Sequence, residues 1–390
     1  MHTLTVRAGR HHVTVRSDTA SVTDWAGCYF ATAWPTTPGR HAEGPAVTAT
    51  AHPAGPPGPA PAAFEHQTHY AREAIGYTRH CDGTVDARTT AVPHLRYRYT
   101  PAEGHLAITA ETPPAPAPPG RPSRLATATT RFTRELMRAQ LLDDGWVLLH
   151  AAAAVLDDGT ALLALGDSGA GKTTTALTLA SFPGARLLAT DCAFARPTPG
   201  GRLDLLPWPS AATIGLGLLH ALGWSSIARA RLSGGEHPHP TQHPDVTAAL
   251  LTEGAAPPHT PVGRERKAHI WPDQLTRWFG LTPATEAVAT AVLLPRITPG
   301  ATARADTGCD ARITHSPFAV SDGPERYPDL LGLTLPGAHR HAEYREAVLA
   351  YLAALPARAV DLGHSHDANT RLLATLASDH AITAAPEASR

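Results

Sequence analysis

Apolar and polar residues alternate along the first third of the chain. The sequences LTV (4–6) and VTV (13–15) lie on either side of the turn-forming AGRH, and LRYRY (95–99) and HLAITA (105–110) flank TPAEG. A period of two is typical of strands that bury one face in a sheet. We therefore predict a β-rich region here, with one helix at 65–75.

Two proline-rich tracts punctuate this part of the chain, HPAGPPGPAPAA (52–63) and TPPAPAPPGRP (112–122). Proline-dense sequence cannot continue a helix or a central strand, and it tends to be extended. The second tract is therefore predicted to be a linker. The resulting boundaries are a β-rich accessory domain at 1–111, the linker at 112–122 and a second domain at 123–390.

The chain after the linker alternates helical and strand patterns. Ser123 can cap the first helix, and the following segments are short apolar runs separated by glycine-rich or DDG turns. Strand, glycine-rich loop, helix and strand in that order indicate an α/β fold. The predicted elements are helices at 123–142, 173–181, 347–355 and 369–377, and strands at 146–156, 161–165, 186–190 and 358–362.

Composition narrows the class of protein. The chain has 390 residues, 43% of them apolar, which is enough for a core. The formal charge of −1 argues against a broad basic surface for nucleic acid or anionic membrane. No run approaches the ~18 apolar residues that span a bilayer, and the first residues lack an apolar signal segment. We expect a soluble, cytoplasmic protein with neither a nucleic-acid nor a membrane partner.

The potential metal-binding residues are scattered. The four cysteines form no CxxC pair, so neither a zinc site nor a disulfide framework is indicated. The histidine tract HPHPTQH (237–243) is interrupted by proline and is expected to be solvated. The preceding LSGGE (232–236) resembles the signature of ABC-type ATPases, but no apolar strand ending in Asp-Glu follows it. We interpret this segment as a loop.

One loop carries a specific chemical signal. The sequence GDSGAGKT (166–173) matches G-x-x-x-x-G-K-[ST] in full, between a predicted strand and a predicted helix. Its backbone N–H groups can converge on phosphate oxygens, Lys172 can contact the β and γ phosphates, and Thr173 can bind Mg²⁺. The expected nucleotide-binding residues are Gly166, Asp167, Ser168, Gly169, Ala170, Gly171, Lys172, Thr173 and Thr174.

Asp191 ends the next apolar strand, where a second Mg²⁺ ligand is expected in a phosphate-binding loop fold. A solvated aspartate at a strand end is the simpler alternative. Motor-type ATPases usually place a glutamate beside this acid to activate water, but the neighbour here is Cys192. The pair therefore favours transfer to a substrate over hydrolysis.

The segment at 148–194 resembles the catalytic core of the HPr kinase/phosphorylase superfamily, and especially its kinase-like branch. The likeness consists of a histidine 16 residues before the first loop glycine, the loop GDSGAGKT, a helix, and a strand G-x-R-L-L-x-x-D. It implies ATP or GTP with Mg²⁺ as cofactors, and transfer of the γ-phosphoryl to a hydroxyl. Lys172, Thr173 and Asp191 would hold nucleotide and metal, and His150 would be the catalytic histidine. Without the resemblance, His150 is equally well explained as a core residue.

Three departures from the family limit the resemblance. Thr190 replaces the first aspartate of the family's pair, which is its general base, so Asp191 either does both jobs or little base is needed. Thr174 replaces the acid that follows the loop serine in bifunctional enzymes, and the arginine-rich signature of the HPr-specific enzymes is missing. Phosphorylase activity and HPr as the substrate are therefore not expected.

The chain has only two lysines among 33 basic residues, Lys172 and Lys267. Arg264, Arg266 and Lys267 form a basic cluster that can contact a second phosphate or an acidic acceptor, although a solvated basic loop is the commoner explanation.

We therefore predict an HPr-kinase-like, Mg²⁺-dependent kinase acting on an unknown hydroxyl acceptor: a peptide, a protein or a metabolite. The accessory domain is the expected acceptor-recognition module, and a homo-oligomer is compatible with the sequence. The alternatives are a nucleotide-binding regulator or scaffold and a conformational NTPase.

Overall fold

The computed structural model has a mixed α/β architecture, as predicted, and it divides into two compact units. The first comprises Met1–Asp144 with Pro328–Pro336, and the second comprises Gly145–Tyr327 with Gly337–Arg390. The structure describes residues 1–39, 42–51, 64–70, 73–90, 94–111, 121–298, 300–306, 313, 316–319, 331, 333 and 338–383.

The described part of the first unit is a nine-stranded sheet with two α-helices. The sheet order is β3-β1-β2-β4-β9-β8-β7-β6-β5, with the following bounds: β1 (His2–Ala8), β2 (His11–Ser17), α1 (Ala20–Phe30), β3 (Thr36–Pro38), β4 (Ala46–Thr50), β5 (His66–Tyr70), β6 (Glu73–Arg79), β7 (Val85–Thr89), β8 (Leu95–Thr100), a short 3-10 helix (Pro101–Glu103), β9 (His105–Ala110) and α2 (Arg124–Asp143).

The helix predicted at 65–75 is wrong. Two antiparallel strands, β5 and β6, occupy this region, and the pairing of Thr68 with Ile75 fixes their register. Ile75 is fully buried in the sheet. The segment contains only two β-branched residues and one tyrosine, so the cross-strand pairing, and not the composition, places it in the sheet.

The helix predicted at 123–142 is confirmed as α2, but it packs in the first unit and not in the domain to which the sequence assigned it. Its apolar face contacts α1, β2, β4 and β9, and the Phe132 ring lies 4.9 Å from that of Tyr97. Ser123 Oγ accepts a hydrogen bond from Ala126 N at 3.1 Å and caps the helix. The compact unit therefore extends past the predicted linker, of which residues 112–120 lie outside the described residues.

The second unit has a seven-stranded path, β10-β14-β15-β18-β12-β11-β13, with β20 and β19 added beside β18 and a separate pair, β16-β17. The bounds are β10 (Val147–Leu149), β11 (Ala152–Val155), β12 (Ala161–Ala164), α3 (Lys172–Ala180), β13 (Arg186–Ala189), β14 (Ala193–Pro197), β15 (Leu203–Pro207), β16 (Ala212–Ile214), α4 (Leu216–Ala221), α5 (Trp224–Ser233), α6 (Pro244–Leu251), β17 (Ala268–Ile270), α7 (Pro272–Phe279), β18 (Ala287–Ile297), β19 (Arg304–Ala305), α8 (Ala338–Ala354), β20 (Ala357–Leu362) and α9 (His366–Thr383).

The central strands are buried on both faces. Leu162 and Leu293 belong to one apolar cluster with residues of α3 and α9, whereas Leu163 and Val292 belong to a second cluster with Val348 of α8. Strands covered on both faces read as continuous apolar runs rather than alternating ones. This explains the continuous apolar runs ALLA (161–164) in β12 and AVLL (291–294) in β18.

Strand direction determines which residues meet at one edge of this sheet. Strand β12 runs parallel to β18, and β18 runs parallel to β20. Strand β11 is antiparallel to both β12 and β13. The carboxyl ends of β12, β13, β18 and β20 therefore lie at the same edge as the amino end of β11. We call it the loop edge.

None of the helices in the described ranges combines the length and the apolar character needed to cross a membrane.

Candidate functional site

Residues 165–171 form the connection between β12 and α3 at the loop edge, and Lys172 and Thr173 are the first two residues of α3. Three glycines give the connection its shape: φ is +144° at Gly166, +88° at Gly169 and +109° at Gly171, values that other residues rarely adopt. At Gly171 a Cβ atom would also lie 2.8 Å from Cγ1 of Ile297. Glycine is thus required there by both backbone conformation and packing.

Lys172 is the first residue of α3, and it is only 6% exposed. Its Nζ atom donates to the carbonyl oxygens of Gly166, at 2.7 Å, and Asp167, at 2.9 Å. The ammonium group is therefore held inside the curve of its own loop. It lies at the amino end of a nine-residue helix, where the helix dipole also favours an anion.

Thr173, Asp191 and His150 are brought together by the strand ends. Thr173 Oγ1 donates to the carbonyl oxygen of Thr190 at 3.0 Å, one residue before Asp191. Oδ1 of Asp191 lies 3.5 Å from Nε2 of His150, and both side chains are partly exposed, at 21% and 16%. The Sγ atom of the buried Cys192 lies 3.7 Å from Oδ2 of the same carboxylate.

The backbone also positions His150. Its amide donates to the carbonyl oxygen of Pro317 at 2.7 Å, and Leu149 forms a bridge with Phe318. These contacts interrupt the apolar run predicted as one strand at 146–156, so it is divided into β10 and β11. His150 occupies the break and can project towards the Asp191 carboxylate.

The donor set fits Mg²⁺. A hydroxyl and a carboxylate are hard oxygen ligands, and Mg²⁺ usually takes one or two from the protein, completing its shell with water and phosphate oxygens. Within the described residues no group of three or more His, Cys, Asp or Glu side chains could hold a metal by itself. Thr173 and Asp191 would thus be the protein ligands of a metal bound together with phosphate.

The remaining predicted loop residues line the solvent side of the connection. Asp167, Ser168 and Gly169 are exposed at its tip, whereas Ala170 and Thr174 are half-buried. The exposed backbone at the tip leaves room for a ligand above the loop.

A cavity of about 530 Å³ lies beside the loop. Its polar lining includes three residues that the sequence did not identify as functional, Arg296, Arg304 and Asp361. Arg296 donates through Nε and a terminal nitrogen to Oδ1 of Asp361, at 3.0 and 2.8 Å, and Arg304 Nε donates to Oδ2 at 2.9 Å. These hydrogen bonds lower the pKa of Asp361 below its usual value, and the one from Arg304 has the larger effect. For Arg296 and Asp361, the signal that could have found them is a charged residue near the end of an apolar strand.

The basic cluster at Arg264, Arg266 and Lys267 lies in another part of the second unit, before β17. Arg266 Nε donates to His259 O at 3.3 Å, while Arg264 and Lys267 are exposed. None of the three lines the cavity. Between them Glu265 accepts a hydrogen bond from Leu216 N at 2.9 Å, at the start of α4. The hydrogen bonds of Glu265 and Arg266 therefore give this segment a local structural role that requires no ligand.

Comparison with protein-family models and with curated proteins gives no match to this chain. The roles assigned to the site residues therefore depend on their chemistry and on their positions at the loop edge.

Proposed function

We propose that the second unit is a Mg²⁺-dependent kinase of the HPr kinase type that transfers the γ-phosphoryl group of ATP or GTP to a hydroxyl. The observation that carries the proposal is the convergence at the loop edge of the buried Lys172 ammonium with Thr173 and the His150–Asp191 pair. Lys172 and Thr173 follow β12, Asp191 follows β13 and His150 precedes β11, and each group is of the type that phosphoryl transfer requires.

The charge and position of each residue determine its role in the proposed reaction. Lys172 and the loop N–H groups bind the phosphate oxygens, while Thr173 and Asp191 would hold Mg²⁺, which neutralises developing charge on the phosphates. His150 donates a hydrogen bond to the transferred group or orients the acceptor hydroxyl. The acceptor oxygen forms the new P–O bond as the β–γ bridging oxygen leaves, and the hydroxyl proton passes to Asp191 or to solvent. Because the transition state is loose, little base assistance is needed.

The acceptor is a Ser or Thr hydroxyl of a peptide or protein, or a small alcohol, and we assign its recognition to the first unit. A nucleotide-binding regulator is the competing function, because Thr190 supplies no carboxylate where the resemblance expects a general base. A conformational NTPase is less well supported, since Cys192 stands where a water-activating glutamate would follow Asp191.

The direct test incubates the full chain with γ-labelled ATP or GTP, Mg²⁺ and candidate acceptors, including a metabolite extract. Lys172→Ala is expected to abolish nucleotide binding, whereas His150→Ala should keep the nucleotide affinity and lower the transfer rate. Label released only as inorganic phosphate, at a rate that no acceptor changes, would contradict kinase activity. Transfer at the wild-type rate by His150→Ala would remove that residue from the mechanism.

A further inference from the structure

A β-hairpin in the segment between α6 and β17 has no part in the reaction proposed above. Two backbone hydrogen bonds of 2.7 Å join its arms, from Thr260 N to Arg264 O and from Arg266 N to Pro258 O. We call residues 258–266 the basic hairpin. Its backbone pairing gives this surface segment a defined shape.

A carboxylate attaches the basic hairpin to the rest of the second unit. Oε1 of Glu265 accepts a hydrogen bond from Leu216 N, at the start of α4, at 2.9 Å. A Cβ atom added at Gly215 would lie 2.9 Å from Oε2 of the same carboxylate, so the two segments pack closely. Successive side chains of an extended segment point to opposite sides. Arg264 and Arg266 therefore lie on the side of the hairpin that faces away from α4.

The hairpin concentrates positive charge. From residue 254 to residue 267 the sequence contains three cations, Arg264, Arg266 and Lys267, and one acid, Glu265. The acid is turned towards α4 by its hydrogen bond, whereas Arg264 and Lys267 are exposed and Arg266 is half-buried. A local group of like charges attracts a ligand of the opposite sign. The hairpin therefore favours an anionic partner.

An apolar side chain lies at the tip of the hairpin. The turn TPVG (260–263) is closed by a hydrogen bond of 2.9 Å from Gly263 N to Thr260 O. Proline at the second position and glycine at the fourth suit the commonest type of β-turn, which makes no demand for valine at the third. Val262 is nevertheless 80% exposed. It would bury apolar surface by contact with a partner.

An acidic polypeptide fits this combination better than a nucleic acid or a membrane does. Guanidinium groups pair with carboxylates through two parallel hydrogen bonds. Nucleic acid requires a broad basic surface, but the formal charge of the whole chain is −1. Insertion into a membrane surface requires a wide apolar face, usually with large aromatic or leucine side chains, whereas the hairpin presents a valine at its tip.

We propose that the basic hairpin is a docking site for an acidic segment of another protein. Carboxylates of the partner pair with Arg264, Arg266 and Lys267, and an apolar side chain of the partner contacts Val262. The docking site goes beyond the proposed kinase function and does not depend on it, because none of these four residues belongs to the phosphate-binding loop or lines the cavity beside it.

Fluorescence anisotropy with the full chain and a labelled peptide of Glu-Glu-Val repeats tests the proposal. The double variant Arg264→Glu/Lys267→Glu should bind the peptide about tenfold or more weakly than the wild type, since two attractive contacts become repulsive. Arg202→Glu/Arg371→Glu is the matched control, with the same change of net charge at exposed positions of the second unit, and should keep the affinity to within about twofold. Val262→Ser should lower the affinity about threefold or more.

Hydrogen exchange of the wild type locates the bound peptide without any variant. The peptide should slow exchange at the backbone amides of residues 259–267, because docking opposes local opening of the hairpin. Unchanged exchange at these amides in the presence of saturating peptide would overturn the proposal, even if a variant failed to fold.

The remaining outcomes are equally decisive. Equal losses of affinity in the hairpin variant and the control variant would overturn the proposal, because net charge alone would then explain the binding. So would the absence of peptide binding, or tighter binding of the hairpin to phosphatidylserine vesicles or to a DNA duplex than to the peptide. Lys172→Ala should bind the peptide like the wild type, so a failure of the nucleotide site is distinguishable from a failure of the docking site.

Discussion

Gly171→Ala is expected to destabilise the loop and α3 far more than Gly169→Ala does. Both glycines have positive φ, +109° and +88°, and an L residue in such a conformation costs about 1–2 kcal/mol. The difference is steric. A Cβ at Gly171 would lie 2.8 Å from Ile297 Cγ1 and 3.1 Å from its Cδ1, whereas nothing lies within 4 Å of a Cβ at Gly169.

The expected magnitudes follow from these two contributions. Overpacking in a filled core typically costs 1–3 kcal/mol, so Gly171→Ala should lose about 2–4 kcal/mol in total. Gly169→Ala should lose only about 1 kcal/mol, because the conformational cost is partly offset by the lower entropy of the unfolded chain. The two substitutions are identical in chemistry and lie two residues apart. Their difference therefore isolates the contact with Ile297.

Hydrogen exchange at the α3 amides measures the free energy of opening directly. A double-mutant cycle with Ile297→Ala then removes the contacting Cγ1 atom and should recover about 1–3 kcal/mol of the loss. Equal protection in the two glycine variants, or additive effects in the cycle, would refute the packing account. Gly171→Ala should also lower the nucleotide affinity more than Gly169→Ala does, because the loop N–H groups must converge to bind phosphate.

Three further predictions concern the first unit. Arg88 and then Arg96 hydrogen-bond Glu111 and lower its pKa from 4.5 to about 2. This shift corresponds to ~3 kcal/mol, which solvent screening reduces to about 2 kcal/mol, and the stabilisation is present above pH 4.5 and is lost as pH falls towards 2. Glu111→Gln should flatten urea midpoints over that interval; an unchanged acid dependence would contradict the pairing. Ser123→Ala removes the α2 cap and should cost about 1 kcal/mol in urea unfolding, with Ser123→Asp as the conservative control; a loss no larger in Ser123→Ala than in Ser123→Asp would argue against the cap. Burial raises the pKa of Tyr97 to about 12, so the stability that the neutral phenol contributes is present below pH 10 and is lost as pH rises from 10 to 12. Tyr97→Phe should reduce this alkaline loss of stability. Thermal melts over this pH range that show the same loss in both proteins would count against it.

Much of the candidate site is readable from sequence because its residues are local. The loop at 166–173 is a continuous motif, and Asp191 directly follows an apolar run that ends the next strand. A glycine pattern between a strand and a helix leaves few backbone conformations, so local sequence is sufficient to predict the connection.

The errors have a different physical origin. The fold of residues 65–75 and the unit in which α2 packs both depend on the surface that buries their apolar residues. An amphipathic pattern shows that a face is apolar, but it does not show which element that face packs against. The same limitation concealed Arg296, Arg304 and Asp361. Arg296 and Asp361 lie near the carboxyl ends of β18 and β20, and Arg304 begins β19, but many solvated residues at strand ends are charged too.

The sequence by itself therefore determined the mixed α/β class, the glycine-rich loop and the acid that follows the next strand, because these depend on short-range conformational preferences. Only the tertiary structure decided that β18 and β20 run parallel to β12, which places Arg296 and Asp361 beside a loop more than a hundred residues earlier in the chain. It also decided that His150 meets Asp191 across β11 and β13. The physical reason is that strand order and direction arise from burying both faces of the sheet at once, a condition on the whole unit that no local segment encodes.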